Sequence, residues 1–458
     1  MATRASPRPT GGNTSRPRRL RDELRELTLR LHFYVGLFIA PFLLVAAATG
    51  ILYALTPQIE QVVYDKELHA SAPAGAEMVP LAQQVEAARS EVTDGTITQI
   101  RPPKDAEPTT RVTFDSPSAR EDRQLTAFVD PYTGEVTGVL NTFGEWLPLR
   151  TWFDDLHRNL HLGDAGRWYS EVAASWLWVL ALSGLTLWVT RKVRTRSARA
   201  YLLPQRKGPQ RQRSISLHAT IGVWAAIGTF FLSATGLTWS QFAGGNVSAL
   251  RQSLSWSTPY LSSEAATTTP IAETEVPATA QSVLEAARQE GLTDPVAITP
   301  STDGGAWLVS QVQRSWPLKQ DSMAIDPTSE AVVGSVRFAD WPVAGKLAEA
   351  GISFHMGILF GWPNQLLLIA IAGAVIALIV IGYRMWWRRR PKPPRTGLPR
   401  PLGRRVDTAA AYGILIAIAA VVGLALPLLG VTLLAFIALD LTRRIVPGMD
   451  SARKNESA

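Results

Sequence analysis

Histidine is the scarce chemical residue of this chain, with six in 458 residues and no cysteine at all. Two of the six, His157 and His161, stand four residues apart in "WFDDLHRNLHLGDAGRW" (152–168), a spacing that puts both on one face of a helix. That stretch leads straight into a long apolar run. Ionisable side chains at a membrane edge are costly to keep and are functional candidates by default. The absence of cysteine excludes disulfides, thiolate zinc sites, cysteine-ligated iron–sulfur clusters and covalent c-type haem attachment. Imidazole remains as an axial ligand for a haem iron.

The elements that must position these histidines are membrane helices. Apolar runs cover 31–55, 168–189, 219–239 and 365–387, each long enough to cross a hydrocarbon core of roughly 30 Å. A fifth run, 409–439, contains Pro427 and reads as two short helices in a hairpin, with one long kinked helix as the alternative. Lys and Arg set the orientation. The arm 1–30 and the connections 191–216 and 388–407 are strongly basic, whereas the two long segments between spans carry an excess of acid. The basic segments are therefore expected in the cytoplasm and the long acidic ones outside, with the N-terminus inside. The high pI reports topology and gives no sign of nucleic-acid binding.

The chain is also a duplication. "LHFYVGLFIAPFLLVAAATG" (31–50) aligns without a gap on "LHATIGVWAAIGTFFLSATG" (217–236), a shift of 186. "FVDPYTGEVTG" (128–138) aligns on "AIDPTSEAVVG" (324–334), and His157, Gly163, Gly184 and Trp188 fall on His355, Gly361, Gly382 and Trp386. The fold expected is an integral membrane α-helical bundle, four core helices in two repeats plus a C-terminal helical hairpin, with two extracytoplasmic α+β domains. Its segments are a cytoplasmic arm (1–30), a first span (31–56), an outer domain (57–148), and a membrane-edge helix with the second span (149–190). After the basic loop 191–216 come the third span (217–241), a second outer domain (242–345), and a membrane-edge helix with the fourth span (346–387). The loop 388–407, the hairpin 408–442 and a cytoplasmic tail (443–458) complete the chain.

Superposing the halves turns four histidines into two equivalent pairs, His32 with His218 at the inner ends of their helices and His157 with His355 at the outer entrance to theirs. Neutral imidazoles facing one another across a pseudo-two-fold axis can supply both axial ligands of a haem iron, and one such site at each membrane face would carry electrons across the bilayer. A single histidine at a helix end is more often an interfacial side chain, and common ancestry alone could preserve it. His161 breaks the repeat, since Leu359 stands at its counterpart, and reads as an alternative ligand, a propionate partner or a surface residue. His69 has no counterpart and reads as solvated. Tryptophans bracket the spans as an interfacial belt. No helix carries a buried mid-membrane charge and no broken pair of helices stands at the midplane, which argues against a transporter. No nucleophile–base pair, GxGxxG unit or GxxxxGK[ST] loop is present, so the chain offers no nicotinamide, flavin or nucleotide site of its own.

The motifs "LHFYVGL…ATG", "DLHRNLHLGDAGR…SGLTLW", "LHATIGVW…SATGLTW" and "FHMGILFGWPNQ" resemble the PepSY-associated transmembrane family, and the "DPYTGEV" segment resembles its PepSY domains. The resemblance covers about 25–390. It implies an iron-regulated inner-membrane protein of siderophore uptake, some relatives being haem-containing reductases of ferric siderophores. Carried onto this chain, it implies two haem b groups whose iron ligands fall on His32, His218, His157 and His355, with His161 as an extra cofactor-side residue. The implied partners are a ferric siderophore or a delivery protein outside, membrane lipid, and an electron donor that is a quinol or a cytoplasmic reductase. The second outer copy departs from the pattern, reading "DPTSEAV". The rival function is a non-catalytic, membrane-anchored PepSY binding or regulatory protein of the cell envelope.

Overall fold

The first half of the chain forms α1 (Leu20–Phe38), α2 (Ala40–Val63), the single turn α3 (Asp65–Leu68) and α4 (Leu81–Glu91), then strands β1 (Thr96–Arg101), β2 (Thr110–Asp115), β3 (Gln124–Val129) and β4 (Val136–Thr142), then α5 (Pro148–Asn159) and α6 (Gly163–Val189). The second half follows with α7 (Gln210–Thr238), α8 (Phe242–Ser253), α9 (Val276–Gln289), β5 (Val296–Thr299), β6 (Trp307–Gln311), β7 (Ser322–Ile325), β8 (Val332–Val336), α10 (Val343–His355) and α11 (Trp362–Trp387). The tail is α12 (Ala409–Ala425) and α13 (Pro427–Ile445). This computed structural model describes residues 20–70, 75–104, 108–190, 202–265, 269–301, 303–389 and 409–445. Most of the basic arm and tail, and parts of both basic connections, lie outside the described residues.

Four helices, α2, α6, α7 and α11, are long and apolar enough to cross a membrane. They expose large apolar side chains such as Ile227, Leu366 and Val380, as helices that meet lipid rather than water would. The first-span helix of each half packs on the return helix of the other, α2 on α11 and α7 on α6. The first span differs from expectation in being two helices jointed at Ile39. Pro41 has no N–H to offer the Leu37 carbonyl. The Tyr383 hydroxyl of α11 donates to that carbonyl instead, at 2.6 Å, so the joint is pinned by the opposite half. A second tyrosine, Tyr169 of α6, donates to the Phe42 carbonyl just beyond it, also at 2.6 Å.

Glu171 lies fully buried in α6. Its carboxylate accepts hydrogen bonds from the backbone N–H groups of Phe242 (2.8 Å) and Ala243 (3.1 Å), the first turn of α8. Unsatisfied amides and the positive end of the helix dipole compensate the buried anion. No patterning in the sequence announces α8, so no partner for Glu171 is visible there.

The two long segments between spans, expected as two α+β domains, share one sheet. All eight strands form one antiparallel sheet in the order β4-β3-β2-β1-β5-β6-β7-β8. The halves meet where β1 pairs with β5 at Ile100 and Ile298, two residues related by the same shift of 198 as His157 and His355. The pseudo-two-fold axis therefore passes through this seam. Helices α4 and α9 cover one face side by side, and a single core takes Val85, Ile100 and Phe114 from the first half with Val283, Ile298 and Trp307 from the second. The second hairpin, where "DPTSEAV" lacks the glycine, still closes. Asp326 accepts from Glu330 N–H at 2.9 Å as Asp130 accepts from Gly134 N–H, and Glu330 takes the left-handed conformation (φ 57°) that Gly134 takes in the first copy (φ 72°).

The C-terminal run is a hairpin, as read from Pro427, which begins α13. Its helices cross so closely that a Cβ on Gly430 would lie 2.5 Å from the Gly423 Cα. It docks on α1 and α6 through Tyr412, Leu429 and Leu433, and the Trp176 indole donates to Thr432 Oγ1 at 2.9 Å.

Candidate functional site

His32 and His218 come together at the end of the bundle remote from the sheet, their ring centroids 6.3 Å apart and their planes at 87°. Metal–imidazole bonds of about 2 Å hold two rings on one metal with centroids on the order of 6 Å apart, so this separation fits a shared iron. His157, on α5, and His355, the last residue of α10, lie near one another at the sheet end. Thr49, the residue against His157, is 17 positions along the first span from His32. At 1.5 Å per residue that puts the two pairs about 25 Å apart along the bundle.

Three of the four rings have their Nδ1 held by a hydroxyl. Ser183 Oγ lies 2.8 Å from His32 Nδ1, Thr49 Oγ1 2.9 Å from His157 Nδ1, and Thr235 Oγ1 2.5 Å from His355 Nδ1. Each hydroxyl gives its own proton to a helix carbonyl one turn back: Ser183 to Leu180, Thr49 to Val45, Thr235 to Phe231. A hydroxyl whose proton goes to that carbonyl accepts from the imidazole, an arrangement that would put the ring proton on Nδ1 and leave the Nε2 lone pair free. His218 lacks such a hydroxyl because Ile381 stands where Ser183 stands in the first half. Its buried Nδ1 has no hydrogen-bond partner among the described residues.

Glycine makes room for each ring. A Cβ on Gly184 would come within 3.1 Å of His32 Cε1, and one on Gly50 within 3.3 Å of His157 Cε1. Gly382 and Gly236 face His218 and His355 at 3.9 Å. Gly166 fixes the corner behind His157, for the Asn159 carbonyl occupies the space its Cβ would need. Among the described residues no three His, Asp or Glu side chains converge on one point. Two imidazoles alone complete an iron site only when a macrocycle supplies the other ligands, and the donor set therefore fits haem better than a bare ion.

The structure separates His161 from His157. Helix α5 ends at Asn159, Leu160 and His161 both take positive φ (56°), and the chain turns back into α6. The two histidines do not share a helical face. His161 is exposed, its ring 5.0 Å from that of Trp152. His69 is bonded to Asp65 at 2.9 Å on the surface.

The sequence profile of the PepSY-associated TM region matches residues 29–389, a span that contains all four paired histidines and the sheet between them. The chain belongs to the PepSY-associated TM family. No curated protein matches it. In this PepSY-associated TM protein, sequence reasoning missed the residues that orient the rings. The signal was there for two of them: Thr49 and Thr235 recur in the aligned "ATG" of both halves. Ser183 and Gly166 carry no such signal, since neither position repeats.

Proposed function

We propose that the chain is a dihaem b electron-transfer protein of the cytoplasmic membrane that reduces a ferric siderophore or another ferric chelate outside the cytoplasm. The observation that carries the reading is the presence of two pseudo-symmetric histidine pairs, one at each end of a span-length bundle, with three of the four Nδ1 atoms held by hydroxyls. Bound haem would supply one-electron Fe(III)/Fe(II) chemistry with both axial positions filled, which favours electron transfer over oxygen binding. His32 and His218 would hold the inner group, and His157 and His355 the outer one. Ser183, Thr49 and Thr235 keep the ring protons away from the metal side, and the apolar spans exclude water. The basic connections support a cytoplasmic far end of the bundle and a sheet outside. One electron enters from a quinol or a cytoplasmic reductase on the His32 side. One Fe(III) in the chelate becomes Fe(II) on the sheet side, where hard oxygen donors hold it less tightly.

The test is anaerobic stopped-flow mixing of the dithionite-reduced, detergent-purified chain with ferric citrate. Loss of the reduced haem bands with one iron(II) formed per electron released supports the reductase. Reduced bands that persist for minutes in excess ferric chelate would turn the reading toward a non-catalytic envelope protein.

A further inference from the structure

Where the sheet meets the helices, a cavity of about 400 Å³ opens between the end of α2, strands β1 and β2, the start of α5 and the chain after β6. Five cationic side chains line it, Arg101, Lys104, Arg111, Arg150 and Arg314. Among the described residues only two carboxylates do, and both are engaged. Glu60 accepts from the Arg150 backbone N–H at 3.1 Å and lies 3.7 Å from its Nε, while Glu145 bridges Arg101 (2.8 Å) and Arg314 (3.4 Å). Arg111 makes no ion pair among the described residues. Its guanidinium lies 5.6 Å from the Phe128 ring centroid, and burial, helped by Arg101 nearby, draws its pKa down to about 10.

Arg314 also pairs with Glu349 at 3.2 Å, outside the lining, so Arg101, Arg150 and Arg314 are matched by three carboxylates, and Arg111 and Lys104 are the cations in excess among the described residues. The duplication does not require the cluster, because Thr299 and Ala348 stand in the second half where Arg101 and Arg150 stand in the first. The cavity reaches Ile358, three residues past His355. Arg150 precedes His157 by seven residues on α5, about 10 Å along the helix.

We propose that this cavity binds a multiply anionic, oxygen-rich metal chelate, such as a polycarboxylate complex of iron(III), and holds it beside the His157–His355 pair. The identity of the metal rests on the reductase reading; the charge of the ligand rests on the cavity. Its size suits a small chelate, and clustered arginines bind carboxylate oxygens through paired, charge-assisted hydrogen bonds.

The experiment is calorimetric titration of the full chain, in nanodiscs of zwitterionic lipid, with gallium(III) citrate and with a cationic gallium(III) trihydroxamate. Gallium is not reduced, so binding is read independently of electron transfer. The anionic chelate is expected to bind, more weakly as salt rises, and the cationic one not to. Arg111→Gln should weaken binding about tenfold, with haem content unchanged as the control for folding. Glu145→Gln should tighten it, a direction that misfolding would not produce. Equal binding of both chelates, or indifference to both substitutions, would overturn the proposal. So would displacement of the chelate by anionic lipid, which would assign the cavity to a headgroup. Failure of binding in a protein with intact haem bands overturns this proposal alone, and a colourless protein that still binds gallium citrate overturns the electron-transfer reading alone.

Discussion

On the proposed haem reading, a histidine that binds iron through Nε2 needs its Nδ1 proton held, and Thr49, Thr235 and Ser183 are placed to do that for three of the four candidate ligands. Accepting that proton makes the ring a stronger donor and favours iron(III). Thr49→Val is therefore expected to raise the midpoint potential of the outer haem only, and to weaken its retention by roughly tenfold, as read by potentiometric titration and haem quantification. Gly184→Ala should disturb the inner group only, since its Cβ would press on the His32 ring at 3.1 Å. Optical spectra of the two variants separate the sites. The ligand candidates were legible because a rare residue recurred at equivalent positions. His161 misled because periodicity cannot see a helix stop: nothing in "HRNLHLG" announces that Leu160 and His161 adopt the left-handed conformation. The same blindness hid Ser183, whose partner His32 is 151 residues away.

Among the elements, the joint sheet has the most consequence, because it locks both outer segments to one axis. Ile298 is fully buried at the seam, so Ile298→Ala should cost about 2–5 kcal/mol and destabilise both halves together. Limited proteolysis should then release fragments from both outer segments at the same rate, whereas loss confined to the second would mean that the halves fold separately. Relieving the left-handed residue in the second hairpin, Glu330→Gly, should add about 1 kcal/mol, read as a shift in the denaturation midpoint. Glu145 ties β1 to the chain after β6 through Arg101 and Arg314. Burial alone would raise its pKa, but the two arginines outweigh that and hold it below the ordinary value. The stability it contributes is thus present above the usual carboxylate range and lost as pH falls through its depressed value, and Glu145→Gln should remove that part of the acid sensitivity. Sequence patterning located α4 and the β3–β4 hairpin because alternation and the Asp-Pro/Thr-Gly turn are local signals. It missed β1, β5 and their pairing because short strands joined across nearly two hundred residues leave no local trace.

For the whole molecule, the duplication is the organising fact. Two repeats about one axis bring equivalent residues face to face, which is why matching a motif to its own copy located both histidine pairs. It could not locate the basic cavity, which the copies do not share; the unshared hairpin α12–α13 was legible instead from its apolar length and Pro427. The topology is open to a clean test because the chain has no cysteine. A single cysteine at the exposed Glu121 should react with an impermeant maleimide from outside intact cells, and one at the exposed Lys207 only after permeabilisation. The measurement that bears most directly on the central claim is the absorption spectrum of the detergent-purified chain from haem-supplemented cells, oxidised and then dithionite-reduced, with haem counted per protein. Sharp b-type bands at about two haems per chain are expected, with one lost in His32→Ala or His218→Ala and the other in His157→Ala or His355→Ala. A folded but colourless protein, or haem retained in full by all four variants, would contradict it.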